Sequence, residues 1–150
     1  MALSVLMRYV IFLRSKKNAE IYFHPFKELM GSGSWSSNFL VGYVKYRGRY
    51  RDRMVRLTYS LGKQRMVFTL ASDVSSNRPL EKKPWFTLGP RYHSLGAGLN
   101  LSGNTIFYSR EVKHWGAPES GDLPDAEWLL NLLLQKCDEL EKSDLDQESA

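Results

Sequence analysis

Five cations stand at every second position between Lys45 and Arg53, in the run KYRGRYRDR. Side chains alternate across an extended strand. An extended reading therefore sends Lys45, Arg47, Arg49, Arg51 and Arg53 to one face and Tyr46, Tyr50 and Met54 to the other. Five neighbouring like charges repel, a folding cost that a bound polyanion would offset. The competing reading is a charged hairpin tip, in which Gly48 breaks the strand and the cations splay into water. Arg56 belongs to the same cluster, and Lys16, Lys17, Arg65, Lys82, Lys83 and Arg91 are candidates to extend it.

The cluster lies in a chain whose charge is divided. Residues 1–118 carry a net charge of +13 and residues 119–150 carry −8, although the total is only +5. The first part reads as a basic β-rich body. The second reads as an acidic linker and a C-terminal helix packing on that body, one domain in all. With 150 residues, the chain is long enough to bury ~68–70% of its unfolded surface without a staple. Its single cysteine, Cys137, excludes an internal disulfide and a multi-cysteine zinc site.

The pattern along the chain predicts an α+β fold. This is an antiparallel sheet packed by a short N-terminal helix and an amphipathic C-terminal helix. Leu3, Val5, Met7, Tyr9, Ile11 and Leu13 recur with period two and predict an opening strand, followed by a polar turn at Ser15–Asn18. This apolar run is too short to span a bilayer, and its cations follow it, unlike a signal peptide's. Ala19–Met30 reads as a short strand and then a short helix starting near Pro25. The segment Gly31–Ser37 reads as a flexible loop. Strands are expected at Asn38–Tyr46, Met54–Leu61, Arg65–Ala71 and Asn104–Val112, the first three as a meander. Ser72–Pro84 reads as a loop, Trp85–Leu101 as irregular, and Gly116–Gly121 as a linker. Asp122 is the expected N-cap of a helix carrying Ala126, Leu129, Leu130, Leu133, Cys137 and Leu140 on one stripe, with Ser143–Ala150 frayed.

Nothing in the sequence assembles catalytic chemistry. His24, His93 and His114 are far apart and lack ligand spacing, so no metal or cofactor is expected. Gly96-Ala97-Gly98 precedes a strand, whereas a phosphate cradle opens a helix. Cys137 reads as a packed small hydrophobe. A non-enzymatic, polyanion-binding role is the expectation. Lys45, Arg47, Arg49, Arg51, Arg53 and Arg56 would hold nucleic-acid phosphates or an anionic membrane. Tyr43, Tyr46, Tyr50 and Tyr59 are candidates for base stacking, at least half of them read as ordinary strand packing. Trp35, in its Gly/Ser loop, is a candidate membrane or partner anchor, or else a ring folded back on the sheet.

The order of elements resembles that of rhabdovirus matrix proteins. Leu3–Arg14 matches their opening strand, Phe26–Met30 their first helix, and Tyr43–Leu61 their basic strand pair. Pro84–Arg91 matches their proline-rich irregular stretch, Asn104–Val112 a later strand, and Ala126–Leu140 the closing helix. The resemblance implies a virion protein that binds nucleoprotein or RNA and anionic membrane and self-associates as a homo-oligomer. It also implies residence in the virion and host cytoplasm, at host membrane or in the nucleus. Two other readings stay open: a sequence-independent RNA-binding viral regulator (a silencing suppressor or movement protein), and a partner-binding domain whose basic patch is incidental.

Overall fold

The computed structural model describes residues 2–31, 33–38, 43–61, 66–75, 93–112 and 120–148. The first element is a helix, α1, over Ala2–Leu29. Seven strands follow: β1 (Ser34–Asn38), β2 (Tyr43–Tyr50), β3 (Arg53–Leu61), β4 (Met66–Asp73), β5 (His93–Gly96), β6 (Leu99–Ser102) and β7 (Thr105–Val112). A 3-10 turn at Ser120–Asp122 leads into the closing helix α2, Ala126–Glu148. All strand pairings are antiparallel, in the order β1-β2-β3-β4-β7-β6-β5. The α+β class expected from the sequence is the class adopted.

The N-terminal segment departs from expectation. It is neither a strand nor a short helix but 28 helical residues, running through the predicted turn and Pro25. Residues 3–13 are apolar at nearly every position, and such a run does not distinguish strand from helix. The decision comes from further along. Ser15, Asn18, Ala19, Tyr22, Phe23, Phe26 and Met30 recur at spacings of three and four, and all are buried. Helix growth is cooperative, so the docked second half carries the first half with it. Pro25 has no N–H to bond the carbonyl four residues back, and its ring is exposed. After Leu29 the chain hands over to the sheet: the Met30 amide bonds Phe26 O at 3.1 Å, and the Gly31 amide bonds Arg49 O at 2.7 Å.

Both helices share one core with one face of the sheet. Inward positions alternate along the strands: Val44, Tyr46 and Tyr50; Val55, Leu57 and Tyr59; Met66, Phe68 and Leu70; Ile106 and Tyr108. From α1, Phe23 and Phe26 meet Phe68 at ring separations of 5.9 and 5.3 Å, and Tyr22 stacks on Tyr59 at 6.0 Å. From α2, Leu129, Leu130, Leu133 and Cys137 are fully buried in the same cluster. Each such Phe or Leu contributes ~1.5–3 kcal/mol, more than a typical surface ion pair, so this layer dominates stability. The cap of α2 is Asp125, whose carboxylate accepts the Trp128 amide at 3.0 Å. Asp122, the expected cap, accepts the Tyr22 hydroxyl at 2.9 Å instead. The helix continues to Glu148, through residues expected to fray.

Among the described residues, no helix lies on the opposite face of the sheet. Its positions on the five long and central strands are half-buried or exposed, apart from Ala71.

Candidate nucleic-acid interface

The basic run is split by a turn. β2 and β3 pair from Tyr43↔Ser60 to Tyr50↔Arg53, leaving Arg51 and Asp52 as a two-residue loop. Both loop residues have positive φ, 49° and 66°. That is the conformation of a type I′ turn, whose twist matches the flanking strands. Paired residues share a face. Lys45, Arg47 and Arg49 therefore point outward, while Arg53 follows its partner Tyr50 toward the helices. Across the turn the outward parity switches, so Met54 and Arg56 are outward as well. The expectation of five parallel cations and an inward Met54 is corrected on that ground.

Gly48 does not break the strand. It lies in mid-β2 on the inward face, where a Cβ would stand 3.0 Å from Met30 Cε and 3.2 Å from the Tyr46 ring. The glycine lets the end of α1 seat against β2.

Two of the six candidate cations are neutralised internally. Arg53 makes two bonds to Glu141, at 2.8 and 2.9 Å, and a third to Asp138 at 2.9 Å. Glu141 also accepts the Ser75 amide at 3.0 Å. The Arg53 hydrogen bonds hold the Glu141 carboxyl below its ordinary pKa, and Glu141 in turn raises that of the guanidinium. Arg56 grips Asp73 with two bonds, at 2.7 and 2.9 Å, and Thr105 donates to the same carboxylate at 2.7 Å. These bonds, Arg56 first, lower the Asp73 pKa.

Lys45, Arg47 and Arg49 are different. Among the described residues none of the three has a carboxylate at ion-pair distance. They form a row ~14 Å long on the uncovered face. Arg47 lies directly opposite Arg56 in the register. Partial burial, then the charges of Arg47 and Arg56, push the Lys45 ammonium below its usual pKa. Arg51 lies at the turn, over the Tyr50 ring at 5.3 Å.

The aromatic candidates divide in the same way. Tyr46, Tyr50 and Tyr59 are buried, so they belong to the core and not to a stacking platform. The Tyr50 hydroxyl donates to Asn131 of α2 at 2.6 Å, and Asn18 donates to the Tyr59 oxygen at 3.3 Å. Only Tyr43 shares the cationic face, half-buried. Trp35 is not in a free loop but on edge strand β1, opposite Tyr46. Its ring packs against Phe23 at 5.7 Å and Tyr46 at 5.2 Å, with the Lys27 ammonium 4.6 Å from its centre. It is folded back on the body although 42% exposed.

Thr58, Thr69, Phe107 and Ser109, none of them an expected site residue, are placed by register on the same face beyond the cations. Their alternation with core residues was the available signal. Lys16 and Lys17 lie on α1, off this face. Arg65, Lys82, Lys83, Arg91 and His114 lie outside the described residues. His24 pairs with Glu28 at 2.8 Å on exposed helix. Burial pushes the Cys137 thiol up to about 11. A polar groove of about 890 Å³ separates the hairpin tip from α2. Its α2 carboxylates, Asp138, Glu139 and Glu141, already hold donors from Arg53, Gln135 and Lys136. Among the described residues, no three metal-ligating side chains converge.

No family model, curated protein or solved structure matches the chain. The surface itself is the guide to its chemistry.

Proposed function

We propose that this chain is a non-enzymatic, matrix-like structural protein that binds the phosphate backbone of RNA, free or in a nucleoprotein, on the uncovered face of its sheet. One observation carries the reading: carboxylates pair with Arg53 and Arg56, while among the described residues Lys45, Arg47 and Arg49 stand side by side with none at ion-pair distance. Phosphates placed along that row would relieve the repulsion among the cations and release counterions. The hydroxyls of Thr58, Ser60, Thr69 and Ser109 supply further donors on the same plane, and Tyr43 and Phe107 supply half-buried rings. Met54 is the single strongly exposed apolar side chain among the described residues of this face, which favours nucleic acid over lipid as its ligand. Among the described residues the sheet also ends in two edge strands, β1 and β5, and such edges are routes to self-association.

The test is a salt titration of binding to unstructured single-stranded RNA. Three phosphate contacts predict a fall of log K with log salt of slope about −2. Replacing Lys45, Arg47 and Arg49 together by Thr should flatten the slope and remove most binding, with the melting temperature unchanged or higher. Equal binding by wild type and variant overturns the proposal.

A further inference from the structure

The first half of α1 is an exposed apolar helix joined rigidly to a docked one. Among the side chains described from Ser4 onward, Ser15 is the first that is buried, and those from Ser4 to Val10 are exposed. Val5, Leu6, Met7, Tyr9, Val10 and Leu13 are between 47% and 58% exposed. At 100° per residue, Ser4, Arg8 and Ser15 continue the side that faces the sheet further along. Leu6, Val10 and Leu13 fall opposite, flanked by Met7 and Tyr9.

We propose that residues 4–14 are an interfacial anchor that lies in an anionic leaflet, with this apolar side among the acyl chains and Ser4 and Arg8 toward water. The inference goes beyond RNA binding and uses a different surface. Charge identifies the occupant. Arg8, Arg14, Lys16 and Lys17 precede Glu20, the first acidic residue of the chain. Such a segment is matched by phosphatidylserine-type headgroups, and the cations beside the apolar arc reach them by extending along it. The Lys16 ammonium already lies 5.6 Å from the Phe12 ring centre, a polar tip on an apolar stem. A second copy fits less well. Pairing two such helices would bring two basic segments together, since no acidic residue precedes Glu20 in either copy. A two-helix seam along Leu6, Val10 and Leu13 would also leave the flanking Met7 and Tyr9 in water, whereas a leaflet takes up a broad arc. The length suits lying in one leaflet. Residues 4–14 extend ~15 Å, half of a ~30 Å hydrocarbon core. Among the described residues, no helix is long and apolar enough to cross a membrane.

The experiment is flotation of the full chain with phosphatidylcholine vesicles, with and without about 30% phosphatidylserine. Wild type should float with the anionic vesicles, less so at high salt and far less with neutral ones. The variant Leu6→Gln/Val10→Gln/Leu13→Gln keeps helix-forming residues at exposed positions and should lose binding about a hundredfold. The Thr triple variant of Lys45, Arg47 and Arg49 should float as wild type does, which separates this anchor from the RNA-binding face. Three results overturn the anchor: no flotation of wild type, equal flotation of the Gln variant, or a solution dimer that the Gln changes disperse without any vesicle binding.

Discussion

Arg47 and Arg53 are six residues apart in one basic run, yet they do opposite things. Arg53 is 17% exposed and clasped to α2, which ties the hairpin tip to the C-terminal helix. Arg47 stands in solvent opposite another arginine. The clasp has a pH signature. Its carboxylate partner Glu141 is held below the ordinary value of 4.5, so the stabilisation is complete above that value and is lost as pH falls through the lower native one. Glu141→Gln should cost about 1–2 kcal/mol near neutral pH, because it leaves Arg53 partly unsatisfied. The gap between variant and wild-type melting temperatures should narrow as pH falls below 4.5 and close once Glu141 is protonated in the native state. A gap that stays constant down to low pH would show that Glu141 does not act through its charge. Period-two alternation made Lys45, Arg47 and Arg49 legible as a row before any fold was known. Arg53 was not legible, because its face depends on where the turn falls, and Arg51 is not a usual residue for a positive φ.

That turn is the informative element. Type I′ loops favour Asn-Gly, and here Arg and Asp occupy both left-handed positions. Changing Arg51 to Asn and Asp52 to Gly should raise stability by about 0.5–1 kcal/mol, measured by denaturant unfolding, even though it forfeits the Arg51–Tyr50 contact. A loss of stability would mean that the turn residues hold more than backbone geometry. The same reasoning explains which elements sequence patterning could reach. Strands β3, β4 and β7 and helix α2 bury one face, and their periods are clean. Helix α1 buries only its second half. In its first half only Ser4 and Arg8 interrupt the apolar residues from Leu3 to Leu13, and the apolar residues at odd positions read as a strand. The hairpin of β5 and β6 was obscured by Gly96 and Gly98, both at positive φ in its turn.

Across the whole molecule, the sheet separates two surfaces. One side is layered with helices and continues into the exposed start of α1, and the other, among the described residues, carries no helix and holds the cationic row. If both surfaces act as proposed, they engage their ligands together. Wild type should then carry labelled RNA onto phosphatidylserine vesicles, the Gln variant should bind RNA without recruiting it, and the Thr variant should float without RNA. Competition between RNA and vesicles for wild type would place both ligands on one surface instead. The division of labour along β2 reaches further still. Odd-numbered side chains meet the outside world and even-numbered ones meet the interior, so a change at Lys45, Arg47 or Arg49 retunes what is attracted without disturbing the architecture beneath. A lineage of such strands is free to drift from one ligand to another, a single outward residue at a time.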